Sequence, residues 1–208
     1  NDEVLVFDIG INRLLPSVGI GDPLSFGARP GSDSKRTAYG WKVYHLPDRA
    51  NTYTSPGYFS NGVWTLENTE DDPYQVHFGQ GGDLPLTGDW NGDGLTDLAL
   101  FRNNENLWIL DFDRDGNTDF EFKMVKPTPK SIPVVGDWDG NGIDSPGWYA
   151  PEEQAWYLFN AFGDLKPNWP LIIFGIDDSI PLVGDWDGDG RDSPGVVQPS
   201  SNEFRYID

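Results

Sequence analysis

The chain has 208 residues, with 34 acidic side chains against 14 basic ones, a net charge of −20 and no cysteine. This balance weighs against nucleic acid as a partner, and no apolar run is long enough to span a bilayer. The absence of cysteine excludes disulfides, thiol catalysis and cysteine-ligated zinc. Nine Trp, 12 Phe and eight Tyr supply a large aromatic core although only 37% of residues are hydrophobic, a size and composition suited to one all-β domain. The chain opens at Asn1 with no initiator Met and no leader, so it is read as a mature, processed product.

In chain order, the first apolar run is Val4 to Phe7, followed by PSVG at Pro16. Residues 20–54 fit no repeat and form an insertion. It carries Arg29, Lys35, Arg36, Lys42 and Arg49 among aromatic residues that include Trp41 and Tyr44. An irregular segment on a rigid scaffold is where recognition usually resides. Trp41, Tyr44 and His45 are therefore expected to meet a partner, the other reading being a lid packed over the scaffold. The run SPGYFSNGVWTL from Ser55 and then QVHF from Gln75 read as three short strands.

From Pro85 the chain is periodic. PLTGDWNGDGLTD at Pro85 returns as PVVGDWDGNGIDS at Pro133 and as PLVGDWDGDGRDS at Pro181, 48 residues apart each time. Trp108, Trp156 and Phe204 keep the same spacing, as do Phe101, Tyr149 and Val197. Each unit reads as an apolar strand, an acidic turn, a second strand, a polar turn, an aromatic strand and a closing apolar strand such as FEFKMV or LIIF. Four short strands in such a period are the pattern of a β-propeller blade, and no stretch keeps a helical period.

The expectation is a four-bladed all-β propeller forming one domain, residues 1–208, with blades starting near 16, 85, 133 and 181. The last blade ends after three strands, so residues 3–9 are expected to supply its fourth. That strand comes from the same molecule or from a neighbour, which would build a dimer or filament, because an unpaired sheet edge invites pairing.

Fourteen of the 34 acidic residues fall in four turns. The candidate ligands are Asp89, Asn91, Asp93 and Asp97; Asp111, Asp113, Asp115 and Asp119; Asp137, Asp139, Asn141 and Asp144; and Asp185, Asp187, Asp189 and Asp192. Carboxylates on alternate positions of a tight glycine turn repel one another unless a cation sits among them. Clustered hard oxygens suit calcium, with 6 to 8 ligands, better than octahedral magnesium. Up to four structural calcium sites are thus expected, those of Asp89 and Asp111 being the fullest. In the other two the ninth position is Ser145 or Ser193 and the acid stands one place earlier. The competing reading is a set of solvated turns held by side-chain to backbone hydrogen bonds. The loop tryptophans Trp90, Trp138 and Trp186 are expected to pack between blades.

GDWDGDGRDSPGVV, together with the F-G pair in LIIFGIDDSIPLVGDW and in QVHFGQGGDLPLTGDW, resembles the FG-GAP or VCBS repeats of extracellular propellers. The likeness covers residues 55–208 and is poor before them, and most propellers of that family have seven blades. It implies a secreted or cell-surface adhesive scaffold in which calcium is structural.

Catalysis has little to draw on, with His45 and His77 the only histidines and no G-x-S-x-G turn. The function expected is therefore non-enzymatic: a scaffold binding a protein partner or itself. The alternative is a glycan-binding module using Trp41, Trp148 and Trp169.

Overall fold

The computed structural model describes residues 57–66, 74–163, 166–201 and 203–207, and by backbone alone the strands at 4–6, 8–10 and 41–44. Seventeen strands and no helix are present among them. Four sheets account for all of them.

The periodic part folds as its period demands. β7 (Leu84–Gly88), β8 (Asp97–Arg102), β9 (Leu107–Asp111) and β10 (Phe120–Lys123) form one antiparallel sheet in the order β10-β9-β8-β7. β11 (Ile132–Gly136), β12 (Ser145–Ala150), β13 (Ala155–Leu158) and β14 (Ile172–Ile173) form the next in sequence order. β15 (Ile180–Gly184), β16 (Ser193–Gln198) and β17 (Glu203–Tyr206) repeat the pattern. Trp108 pairs with Phe122 and Trp156 with Ile172, so each closing strand sets an apolar residue across from the aromatic one.

The amino-terminal sheet departs from expectation. β4 (Gly57–Ser60), β5 (Val63–Leu66) and β6 (Tyr74–His77) are the strands expected from SPGYFSNGVWTL and QVHF. Asn61 and Gly62, at φ of 49° and 85°, make the tight primed turn between β4 and β5 that matches strand twist. The first-strand place against β4, however, is taken by β1 (Val4–Val6), with Leu5 across from Tyr58. The sequence reading assigned that place to PSVG at Pro16, which lies outside the described residues.

β1 therefore is not the fourth strand of the last sheet, and no described strand of this chain pairs beyond β17. β2 (Asp8–Gly10) does reach the last sheet, but from the opposite side. It pairs parallel with β3 (Trp41–Tyr44), which pairs parallel with β15. The resulting order is β17-β16-β15-β3-β2, and it draws part of the 20–54 insertion into the sheet. The physical reason is backbone pairing. β4 and β15 each offer a free row of N–H and C=O groups, and short apolar segments satisfy both.

The first strands β1, β7, β11 and β15 stand beside one another in that order, and three apolar clusters join consecutive sheets. Phe59, Trp64, Val76 and Phe78 pack on Leu98, Leu100, Leu107 and Ile109. Trp90, Phe101, Trp108 and Phe122 pack on Val135, Trp148 and Phe159. Val134, Trp138, Tyr149 and Trp156 pack on Val183 and Val196. Burying a large aromatic side chain contributes on the order of 2 to 3 kcal/mol, so these clusters fix how neighbouring sheets sit.

Candidate metal centre

Four acidic turns sit at strand junctions: 89–97 between β7 and β8, 111–119 between β9 and β10, 137–144 between β11 and β12, and 185–192 between β15 and β16. All fold by one local scheme. The first Asp turns its carboxylate back over the loop and accepts backbone N–H groups. Asp89 takes those of Gly92, Asp93 and Gly94 at 2.7, 3.1 and 2.8 Å. Asp137 takes Gly140, Asn141 and Gly142 at 2.8, 3.0 and 2.7 Å, and Asp185 takes Gly188, Asp189 and Gly190 at 2.8, 3.0 and 3.0 Å. In the remaining loop Asp111 accepts from Asp115 and Gly116 at 3.3 and 2.9 Å.

The third and fifth side chains add Asx turns. Asn91, Asp113, Asp139 and Asp187 accept from the N–H two residues on, at 2.8, 3.2, 3.2 and 3.0 Å. Asp93, Asp115, Asn141 and Asp189 do the same at 2.8, 2.7, 2.7 and 2.8 Å. Winding the loop around its first carboxylate needs left-handed backbone at the fourth and sixth places. Gly92 and Gly94 supply it at φ of 79° and 83°, and in the 111–119 loop Arg114 adopts 61° where the others have glycine.

Side-chain oxygens from positions one, three and five are thereby gathered. Asp111, Asp113 and Asp115 bring carboxylate oxygens within 4.8 Å of one another, as do Asp185, Asp187 and Asp189, so each triad can hold a metal ion. The other two loops carry Asn at one of these three places, Asn91 or Asn141, and so offer a carbonyl oxygen there.

The field in the loops is unfavourable to bare carboxylates. Asp97 is 1% exposed, its Oδ2 accepts the Trp90 N–H at 3.0 Å, and its Oδ1 is buried without a hydrogen-bond partner. Burial, with the charges of Asp89 and Asp93 nearby, pushes its pKa up to about 7. Burial likewise raises the pKa of Asp89, Asp111 and Asp137, against the hydrogen bonds each accepts. Asp115 shifts down because Asn117 donates to it through side chain and backbone. An orphaned, buried carboxylate oxygen among other carboxylates fits a cation, which would supply the missing partner.

The late acids divide into two kinds. Asp119 closes its own loop, accepting from Phe112 N–H at 2.7 Å and donating its own N–H to Leu110 O at 2.9 Å, and Asp97 closes its loop on Trp90. Asp144 and Asp192 reach across to the loop of the preceding sheet. Asp144 Oδ2 accepts the Asp89 N–H at 2.7 Å, and Asp144 N–H donates to Asp89 O at 2.7 Å. Asp192 does the same to Asp137, at 2.9 and 2.8 Å. Both pairs are 55 residues apart in sequence. The sequence reading placed all four late acids in their own loops as ligands and missed this bridging. The signal that marked it was the shift of the acid from the ninth place to the eighth, with Ser145 and Ser193 following.

Trp90 and Trp138 are buried between sheets, and Trp186 is half-buried against Phe204 and Tyr206. Trp148, offered above for glycan stacking, is fully buried, because its place in β12 faces the cluster around Trp108. It is therefore unavailable as a platform. Trp169 is half-buried and donates Nε1–H to Asn160 Oδ1 at 2.8 Å. His77 is exposed on β6. Trp41 and Tyr44 lie in β3, which is described by its backbone only, and His45 lies outside the described residues.

No family model, no curated protein and no solved structure matches this chain. No helix among the described residues is long and apolar enough to cross a membrane.

Proposed function

We propose that the protein is a non-enzymatic, extracellular, calcium-binding scaffold of the FG-GAP or VCBS kind, built as a four-bladed propeller, that presents a rigid surface to a protein partner or to copies of itself. The observation that carries the metal reading is the buried, unpartnered Oδ1 of Asp97 in a loop whose design recurs three more times. Isolated solvated turns account for the Asx hydrogen bonds, but they do not account for a buried carboxylate left short of a partner. Calcium is favoured because every side-chain donor at these positions is a hard oxygen.

The propeller reading is supported by four consecutive sheets with adjacent first strands and by apolar packing at three successive sheet interfaces. Ring closure adds a fourth interface, between the last sheet and the first. The scaffold reading is supported by the predominance of structural roles among the described acids and aromatic residues.

The test is calcium stoichiometry by native mass spectrometry, with thermal melting in calcium and in chelator. Three or four bound ions per chain and a higher melting temperature in calcium are expected. No bound ion and coincident melts would overturn the metal reading. Native mass in the same experiment reports self-association, and small-angle scattering distinguishes a closed ring from an open row of sheets.

A further inference from the structure

Three of the four acidic loops are tied together in a row. Asp144 holds Asp89 at both its backbone N–H and its backbone C=O, through hydrogen bonds of 2.7 and 2.7 Å, and Asp192 holds Asp137 in the same way, through bonds of 2.9 and 2.8 Å. The residue held is in each case the first of its loop, whose carboxylate organises the turn by accepting the fourth, fifth and sixth N–H groups. The approach is close as well. A Cβ on Gly88 would lie 3.0 Å from both Cβ and Oδ2 of Asp144, so the residue before Asp89 leaves room for the bridge by having no side chain. The 111–119 loop stands outside the row, since Asp119 closes on Phe112 and Leu110 of its own turn.

We propose that Asp144 and Asp192 are positioning residues for the cation sites of the preceding loops, so that the loops starting at Asp185, Asp137 and Asp89 bind cations as a row coupled through these bridges, in which the loop at Asp111, closed by its own Asp119, takes no part. This rests on the cation reading given above. A bridge that orients Asp89 holds the first ligand of that loop in its binding geometry, which lowers the ordering cost when the ion arrives. A cation in the 137–144 loop orders the segment leading to Asp144, and through the bridge it orders Asp89. Coupling of this kind is reciprocal. The chemistry also explains why the bridging residue is an acid: a carboxylate acceptor makes a stronger bond to a backbone N–H than a neutral one, and it spans the gap between two sheets that no backbone ladder crosses.

The experiment is a calcium titration of the full chain followed by backbone amide resonances, using one glycine per loop as reporter: Gly94, Gly116, Gly142 and Gly190. Asp144→Ala is expected to raise the calcium midpoint at Gly94 about tenfold, the size expected for loss of one hydrogen bond to a charged group. The midpoints at Gly116 and Gly190 should hold. Asp192→Ala should raise the midpoint at Gly142 in the same way. Asp144→Asn keeps an acceptor oxygen on the Asp89 N–H but gives up its charge, so its Gly94 midpoint should fall between those of wild type and Asp144→Ala, which also guards against simple misfolding of the alanine variant. A rise confined to Gly142 in both Asp144 variants would make Asp144 a ligand of its own loop and overturn the proposal, with the cation reading intact. Wild-type reporters that do not respond to calcium would overturn both.

Discussion

The indole rings of Trp108 and Trp148, contributed by adjacent sheets, meet edge to face with centroids 5.8 Å apart. Both are fully buried and neither Nε1–H has a hydrogen-bond partner. Trp108 also stacks on Phe122 at 5.7 Å, and Phe101 meets Trp148 edge-on at 5.0 Å. The contact between these two sheets thus depends on ring packing, with buried donors as a cost.

Truncating either ring should be severe. Trp148→Ala is expected to lower unfolding free energy by about 3 to 5 kcal/mol, as for large-to-small changes of buried aromatics. Trp148→Phe should cost less, because it keeps an aromatic edge and removes an unsatisfied donor. Urea unfolding monitored by fluorescence and by near-ultraviolet circular dichroism measures both. Equal losses for Ala and Phe would contradict this account of the contact.

Calcium should stabilise the fold by mass action. At a free concentration one hundred times the dissociation constant, a single site adds about 2.7 kcal/mol. Melting temperature should therefore climb with calcium concentration and fall in chelator, and magnesium at equal concentration should be the weaker stabiliser.

Asp97 sets a pH dependence whose sign follows from its raised pKa. The fold prefers its neutral form, with a pKa of about 7 against an ordinary 3.8. Its contribution to stability is therefore unaffected below about pH 4, erodes as pH rises from about 4 to 7, and is then constant. In chelator, wild-type melting temperature should decline between about pH 4 and 7 more steeply than that of Asp97→Asn. In calcium the ionised form gains its partner and the extra decline should vanish. Calcium binding near neutral pH should also release protons, visible as a dependence of calorimetric heat on the buffer. Parallel profiles for wild type and Asp97→Asn in chelator would rule this out.

Arg102 and Asp83 form a bidentate pair, Nε to Oδ1 and Nη2 to Oδ2, each at 2.9 Å, and Asp83 is 3% exposed. Arg102→Ala strands a buried carboxylate that keeps the Gln80 N–H at 3.0 Å as donor, so a loss of about 3 to 5 kcal/mol is expected. Arg102→Lys should recover only part of it, since an ammonium does not reproduce the fork. Asp83→Asn combined with Arg102→Ala should be milder than Arg102→Ala alone, and chemical denaturation of the three variants decides it.

Much of the architecture was legible because the chain repeats itself. β8, β12 and β16 begin at Asp97, Ser145 and Ser193, at the expected interval of 48 residues, and Trp90 and Trp138 pack between sheets as expected, whereas Trp186 is half-buried on Phe204 and Tyr206 of its own sheet. The ends of the repeat array were not legible in this way. VLVF resembles LIIF closely enough to suggest the fourth strand of the last sheet, yet Val4–Val6 pairs with β4. A three-residue apolar run fits many edges, and which edge it joins depends on which one is left unpaired nearby. Trp148 shows the same limit: its residue type is compatible with a sugar platform, and only the sheet packed over it makes it core.

By itself the sequence determined the strand menu, the acidic turns and the residue types that can hold a hard cation, because these follow from local rules of period, glycine placement and Asx geometry. The tertiary structure decided which edges meet, which aromatic residues are enclosed, and that Asp144 reaches back to Asp89 and Asp192 to Asp137. Those outcomes depend on contacts between residues 55 apart, and a distance of that kind is set by how sheets pack and not by any local spacing.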